Sequence, residues 1–112
     1  MAKLEAQLHG NFDEVLDEIS SAILNRSATA SLEEKSDFAG LNARCAVRVY
    51  ERYSYTGQNR VSMNVTLFET EGRLFVSAVT SGGSQAMLFK INTFGEEAFL
   101  DLIRDVIDKY RA

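Results

Sequence analysis

Apolar residues alternate with polar ones through most of this chain and recur at helical spacing in two stretches. Ala2, Leu4, Ala6 and Leu8 alternate with Lys3, Glu5 and Gln7, the period of a strand with one buried face. His9-Gly10 ends that strand. Phe12, Val15, Leu16, Ile19, Ala22 and Ile23 then follow at helical spacing, with Asn11 and Glu14 three apart as in a capping box. This predicts a helix from Phe12 to Asn25. A weaker alternation of Ala28, Ala30 and Leu32 predicts a short strand over 28–33, ended by the polar stretch Glu34 to Gly40.

From Ala43 onward the pattern predicts three consecutive hairpins with one shared apolar side. Cys45, Val47 and Val49 supply that side first, then Val61, Met63, Val65 and Leu67. After the turn at Glu71-Gly72 the apolar parity passes to Leu74, Val76 and Ala78, which an odd-sum register requires. Gly82-Gly83 suits a two-residue hairpin turn, returning through a strand that buries Met87, Phe89 and Ile91. Thr93 and Glu96 form a second capping box. Ala98, Phe99, Leu102, Ile103, Val106, Ile107 and Tyr110 make the stripe of a closing helix.

The predicted fold class is α+β: an antiparallel meander sheet of five to six strands with two helices on one face. The order strand, helix, strands, helix is similar to TATA-binding-protein-like and helix-grip folds, an analogy of topology that gives no function. Helices on one side leave the other sheet face bare. On this parity the bare face carries Arg44, Arg48, Tyr50, Asn64, Thr66, Phe68, Phe75 and Ser77, with Arg48 near Asn64, Tyr50 near Ser62, and Phe75 near Phe68.

Composition narrows the function classes. A chain of 112 residues fits one domain, 1–112, with a single core. The net charge of −4 disfavours nucleic acid and anionic membranes as general partners. No apolar run reaches the roughly 20 residues that span a bilayer, and Met1 to Leu8 lacks the continuous apolar stretch of a signal peptide. With one cysteine and no disulfide framework, the expected compartment is the cytoplasm.

Candidate chemistry is thin. Ser84 in Gly82-Gly83-Ser84-Gln85-Ala86 imitates a nucleophile elbow, but an elbow needs a strand-to-helix turn and a later histidine, and the only histidine is His9. Cys45 falls on the apolar parity of its strand, where a thiol is a small core hydrophobe. Cysteine and histidine number two together, short of the four ligands of structural zinc. Asp13, Glu14, Asp17 and Glu18 suit the N-terminal end of a helix dipole. No catalytic residue, cofactor or metal is expected.

The stretches Cys45-Ala46-Val47-Arg48-Val49-Tyr50-Glu51-Arg52-Tyr53-Ser54, Thr80-Ser81-Gly82-Gly83-Ser84-Gln85 and Ile91-Asn92-Thr93-Phe94-Gly95-Glu96-Glu97 resemble a family of small bacterial cytoplasmic proteins of unknown function, over nearly the whole chain. The resemblance implies no activity and no site residues. The residues themselves suggest a non-enzymatic domain that self-associates, as a homodimer, or binds a protein through its bare face. The alternative is a small-molecule binder with a pocket between the C-terminal helix and the sheet.

Overall fold

A computed structural model describes residues 1–54, 59–82 and 89–112. Its elements are β1 (Ala2–Leu8), α1 (Phe12–Arg26), β2 (Ser31–Ala39), β3 (Ala43–Ser54), β4 (Asn59–Thr70), β5 (Arg73–Gly82), α2 (Phe89–Asp101) and α3 (Arg104–Tyr110). The strands form one antiparallel sheet in the order β1-β5-β4-β3-β2, so the first strand closes onto the last. The α+β class and the single helix-covered face follow the sequence pattern.

The first helix forms as its spacing predicts. The Asn11 side chain accepts a hydrogen bond from the Glu14 amide at 3.0 Å, which satisfies one of the free donors of the first turn. Phe12, Val15, Leu16, Ile19, Ala22 and Ile23 are all buried against the sheet. There they meet Val61, Met63, Val65 and Leu67 of β4 and Leu74, Val76 and Ala78 of β5. Both central residues of the β4–β5 turn, Glu71 and Gly72, have positive φ (52° and 77°), the geometry of a type I′ turn that matches strand twist. Gly10 is required for a second reason. Its φ is 137° and a side chain there would start 3.2 Å from the Tyr110 ring, so any larger residue would be strained and would crowd that ring.

Four expectations are corrected. The strand predicted over 28–33 is in fact Ser31–Ala39, the edge strand beside β3. A bulge between Leu32 and Glu34 reverses its parity, which a period-two reading of Ala28, Ala30 and Leu32 cannot anticipate. Residues 89–91, expected in a last strand, open α2 instead; the turn and the rest of that strand, 83–88, lie outside the described residues. Thr93 therefore sits inside α2 and does not cap it. Glu96 is nevertheless anchored: its buried carboxylate accepts from the Gly82 amide at 2.6 Å and lies 2.6 Å from the Met1 ammonium. Thr80, also buried, donates to the Glu96 carbonyl at 3.0 Å, fixing α2 to β5.

The expected single C-terminal helix is broken at Leu102-Ile103. Tight i to i+3 bonds from Leu102 to Phe99 (3.2 Å) and from Ile103 to Leu100 (3.1 Å) end α2. Arg26, from the last turn of α1, donates to the freed Leu102 carbonyl at 2.8 Å and forks onto Asp105 at 2.6 and 3.1 Å. One guanidinium thus fills the gap between two helices.

The fourth correction is of parity on β3. Its register pairs Ala46 with Leu67, Arg48 with Val65, Tyr50 with Met63 and Arg52 with Val61. Residues directly opposite share a face, so the even positions of β3 lie beneath the helices. Cys45, Val47 and Val49 point to the bare side. Ala46 and Tyr50 are fully buried, and the Tyr50 hydroxyl donates to Ser20 of α1 at 3.0 Å.

A pair of substitutions tests which face is the core. Leu67→Asp, a charge placed beneath the helices, should cost about 4 kcal/mol or more or prevent folding. Phe75→Asp, on the bare face, should change stability by less than about 1 kcal/mol. Urea unfolding at low protein concentration reads both.

Candidate functional site

The bare face is best described as rows running across the strands. One row is Phe38, Cys45, Phe68, Phe75 and Gln7, from β2 to β1. The next is Ser36, Val47, Thr66, Ser77 and Glu5, and the third is Glu34, Val49, Asn64, Val79 and Lys3. Beyond it lie Ser31, Glu51, Ser62 and Ser81. The face therefore grades from aromatic at the Glu71-Gly72 end to hydroxylic at the other. Phe38 is 68% exposed, Phe68 38% and Phe75 36%, large apolar surface for side chains lying side by side.

Of the eight residues expected here, Asn64, Thr66, Phe68, Phe75 and Ser77 lie on this face, and Phe68 is directly opposite Phe75. Arg44, Arg48 and Tyr50 do not, and their expected pairings slip by one: Val49 faces Asn64 and Glu51 faces Ser62. The arginines use the helix side differently. Arg44 stacks on Phe12, 4.0 Å from the ring centre, and grips Asp13 at 2.9 and 3.1 Å. Arg48 runs along the sheet to Asp37 at 3.0 Å and the Val47 carbonyl at 3.0 Å. Arginine stems tolerate burial when the head reaches a partner, so charge alone was a poor guide to the wet side.

Sequence reasoning missed Phe38 and Cys45. Phe38 was read as part of a polar loop, and Cys45 as core; the structure sets Cys45, half-buried, between Phe38 and Phe68. The signal was present in Phe38 itself, an aromatic two residues before a glycine in an otherwise charged segment.

Between the rows is a recess of about 460 Å³ lined by Glu5, Gln7, Thr66, Phe68, Phe75 and Ser77. Two of its hydroxyls are paired: Ser77 donates to Glu5 at 2.9 Å and Thr66 to Asn64 beside it at 3.1 Å. Its walls are the two aromatic rings. The Arg60–Glu51 pair (2.9 Å) and the Ser62–Ser81 contact (3.0 Å) close the opposite end of the face.

The helix layer carries the stronger electrostatics. The Arg44 hydrogen bond holds the Asp13 carboxyl below its usual range, Arg26 does the same for Asp105, and Lys109 followed by Tyr110 does so for Glu18. Lys109 meets Glu18 at 2.8 Å, and the Tyr110 hydroxyl donates to the same carboxylate. Among the described residues no group of three or more His, Cys, Asp or Glu side chains is arranged to hold a metal. None of the described helices is long and apolar enough to cross a membrane.

Arg52 stands apart. Its guanidinium lies 4.9 Å from the Phe99 ring centre, on the helix side. Its Nε is buried with no hydrogen-bond partner among the described residues, and burial pushes its pKa down.

The family sequence model described as "Family of unknown function (DUF6054)" matches residues 1–111. The chain belongs to that family. No curated protein matches it. The DUF6054 match extends over both the helix layer and the bare face.

Each depressed carboxylate contributes stability that is complete above its unfolded value, 3.8 for Asp13 and Asp105 and 4.5 for Glu18, and is lost as pH falls through the lower folded value. Unfolding free energy should therefore hold steady above about pH 5 and decline below about pH 4.5. The triple variant Asp13→Asn, Glu18→Gln, Asp105→Asn should show a shallower acid decline in urea melts. An unchanged slope would mean that these contacts do not persist in solution.

Proposed function

We propose that this chain is a non-enzymatic interaction module that works through its bare sheet face. The observation that carries this is the row of Phe38, Phe68 and Phe75 around Cys45, standing in solvent on a face that no described element covers. A contiguous apolar patch of this kind marks a contact surface in soluble proteins, and aromatic residues are enriched where partners meet. The hydrogen bonds within the recess leave it without an evident acid–base pair or activated nucleophile. A lone thiol on an exposed face fits a reducing compartment such as the cytoplasm.

A second reading has one observation in its favour. The unpartnered Nε of Arg52 beneath α2 is a donor suited to a small carboxylate or phosphate ligand held between α2 and the sheet. Phosphate or citrate should then raise the melting temperature of the wild type and not of Arg52→Met. Equal shifts, or none, would leave Arg52 as a stacking side chain alone.

Photo-crosslinking in the native host tests the leading reading. A photoreactive residue at Thr66 should give discrete crosslinked products, whereas one at Asp101 on the helix layer should not. Crosslinks that are absent, or equal at both positions, would remove the bare face as the working surface.

A further inference from the structure

The face proposed above has a feature that names its occupant: it is complementary to itself. We propose that the occupant is a second copy of this chain, docked face to face about a two-fold axis parallel to β4, with Phe38 of each copy seated in the recess of the other. A second copy there presupposes that the face is a contact surface at all, and the two ideas fail separately.

The strand order places β4 at the centre, with β5 and β3 beside it and β1 and β2 outermost. A two-fold parallel to β4 lays each row on its own reverse. Phe68 then meets the partner's Phe68 on the axis, and Phe75 meets the partner's Cys45. Gln7, at the rim of the recess, receives the partner's Phe38, the most exposed aromatic of the row. In the third row Lys3 faces the partner's Glu34, twice by symmetry, and Val79 faces the partner's Val49. Among the described residues Lys3 has only a 3.7 Å ion contact, to Glu5. Aligned sheets pack about 10 Å apart and rotated by about 30°. Such a rotation moves groups two strands from the axis by about 5 Å, within the reach of lysine and glutamate chains.

The other in-plane axis, perpendicular to the strands, would lay the aromatic row on the polar end with Glu51 and Ser62. That would bury carboxylate and hydroxyl groups against phenyl rings without partners. Charge opposes self-pairing only weakly. Lys3, Arg60 and Arg73 on this face stand against Glu5, Glu34, Glu51 and Glu33, the last bonded to Ser31, so most of the chain's net charge of −4 resides elsewhere. Extent is adequate: five strands about 4.8 Å apart, over roughly 27 Å of strand, give about 650 Å² per copy, the lower end of what stable interfaces bury.

Edge-to-edge pairing, the other way for a sheet to find its copy, is hindered on both sides. Along β1, Arg111 bridges Leu8 and the Ala112 amide donates to the Gln7 carbonyl at 2.9 Å, which occupies one end of that edge. Along β2 a bulge and the run Glu33, Glu34, Lys35 and Asp37 oppose a further strand.

Sedimentation equilibrium up to about 200 µM tests the proposal, since that range captures any dimer tighter than about 100 µM. The wild type should be a dimer. Phe38→Ala, on an exposed edge strand where folding is not at stake, should raise the dissociation constant at least a hundredfold, the effect of losing a seated aromatic. Lys3→Glu and Glu34→Lys should each weaken the dimer about tenfold, and the double swap should restore it to within about threefold. A monomeric wild type at about 200 µM, or a double swap no better than the singles, overturns the second copy and its axis. Thr66 crosslinks at a mass other than twice the chain would then keep the face and replace the occupant, whereas no Thr66 crosslinks would remove both.

Discussion

Register between β3 and β4 is the constraint on which everything else depends. With Tyr50 opposite Met63 and Ala46 opposite Leu67, the even residues of β3 join the interior and the odd ones face solvent. A slip of one residue would send Tyr50 and its bond to Ser20 outward and bring Val47 and Val49 under the helices. The native choice leaves three arginines on the helix side. Each needs an outlet, and two have one: Arg44 escapes over Phe12 to Asp13, and Arg48 along the strand to Asp37. Arg52 instead stacks on Phe99 with its Nε unpaired among the described residues.

Much of the fold was legible in the sequence. The stripe of α1, its Asn11 cap, the apolar parity of β4 and β5 and the turn at Glu71-Gly72 are local signals, each set by residues close in sequence. Parity on β3 was not legible because both of its faces carry apolar groups: Cys45, Val47 and Val49 on one, Ala46 and Tyr50 on the other. Branched residues look like core, and arginines like surface. Here the tie was broken by neighbours, since Tyr50 fills a larger space beneath α1 than valine would and has Ser20 to satisfy its hydroxyl. The β2 bulge and the break between α2 and α3 were hidden for the same reason. Their causes, the pairing across to β3 and the Arg26 guanidinium, belong to other parts of the chain.

The error in parity also altered the character of the candidate site. An arginine-rich face suggests anionic ligands as readily as proteins. Once Arg44 and Arg48 are removed from it and Phe38 and Cys45 are added, the face is apolar in one row and more polar in the others. Formal charge is thereby divided: ion pairs such as Arg44–Asp13, Arg26–Asp105 and Lys109–Glu18 crowd the helix layer, while the sheet face has fewer of them.

That division has a structural logic. A five-stranded sheet with helices on one side has three ways to expose backbone or apolar surface: two edges and one face. In this chain one edge is occupied at its Leu8 end by Arg111, and the other carries a bulge among charges. The remaining face carries large aromatic side chains where serine and threonine would suffice for solubility. Phenylalanine in solvent adds nothing to the stability of its own sheet beyond cross-strand contact. Three of them in one row, beside a recess walled by two of the same rings, are the observation on which the proposed contact surface rests.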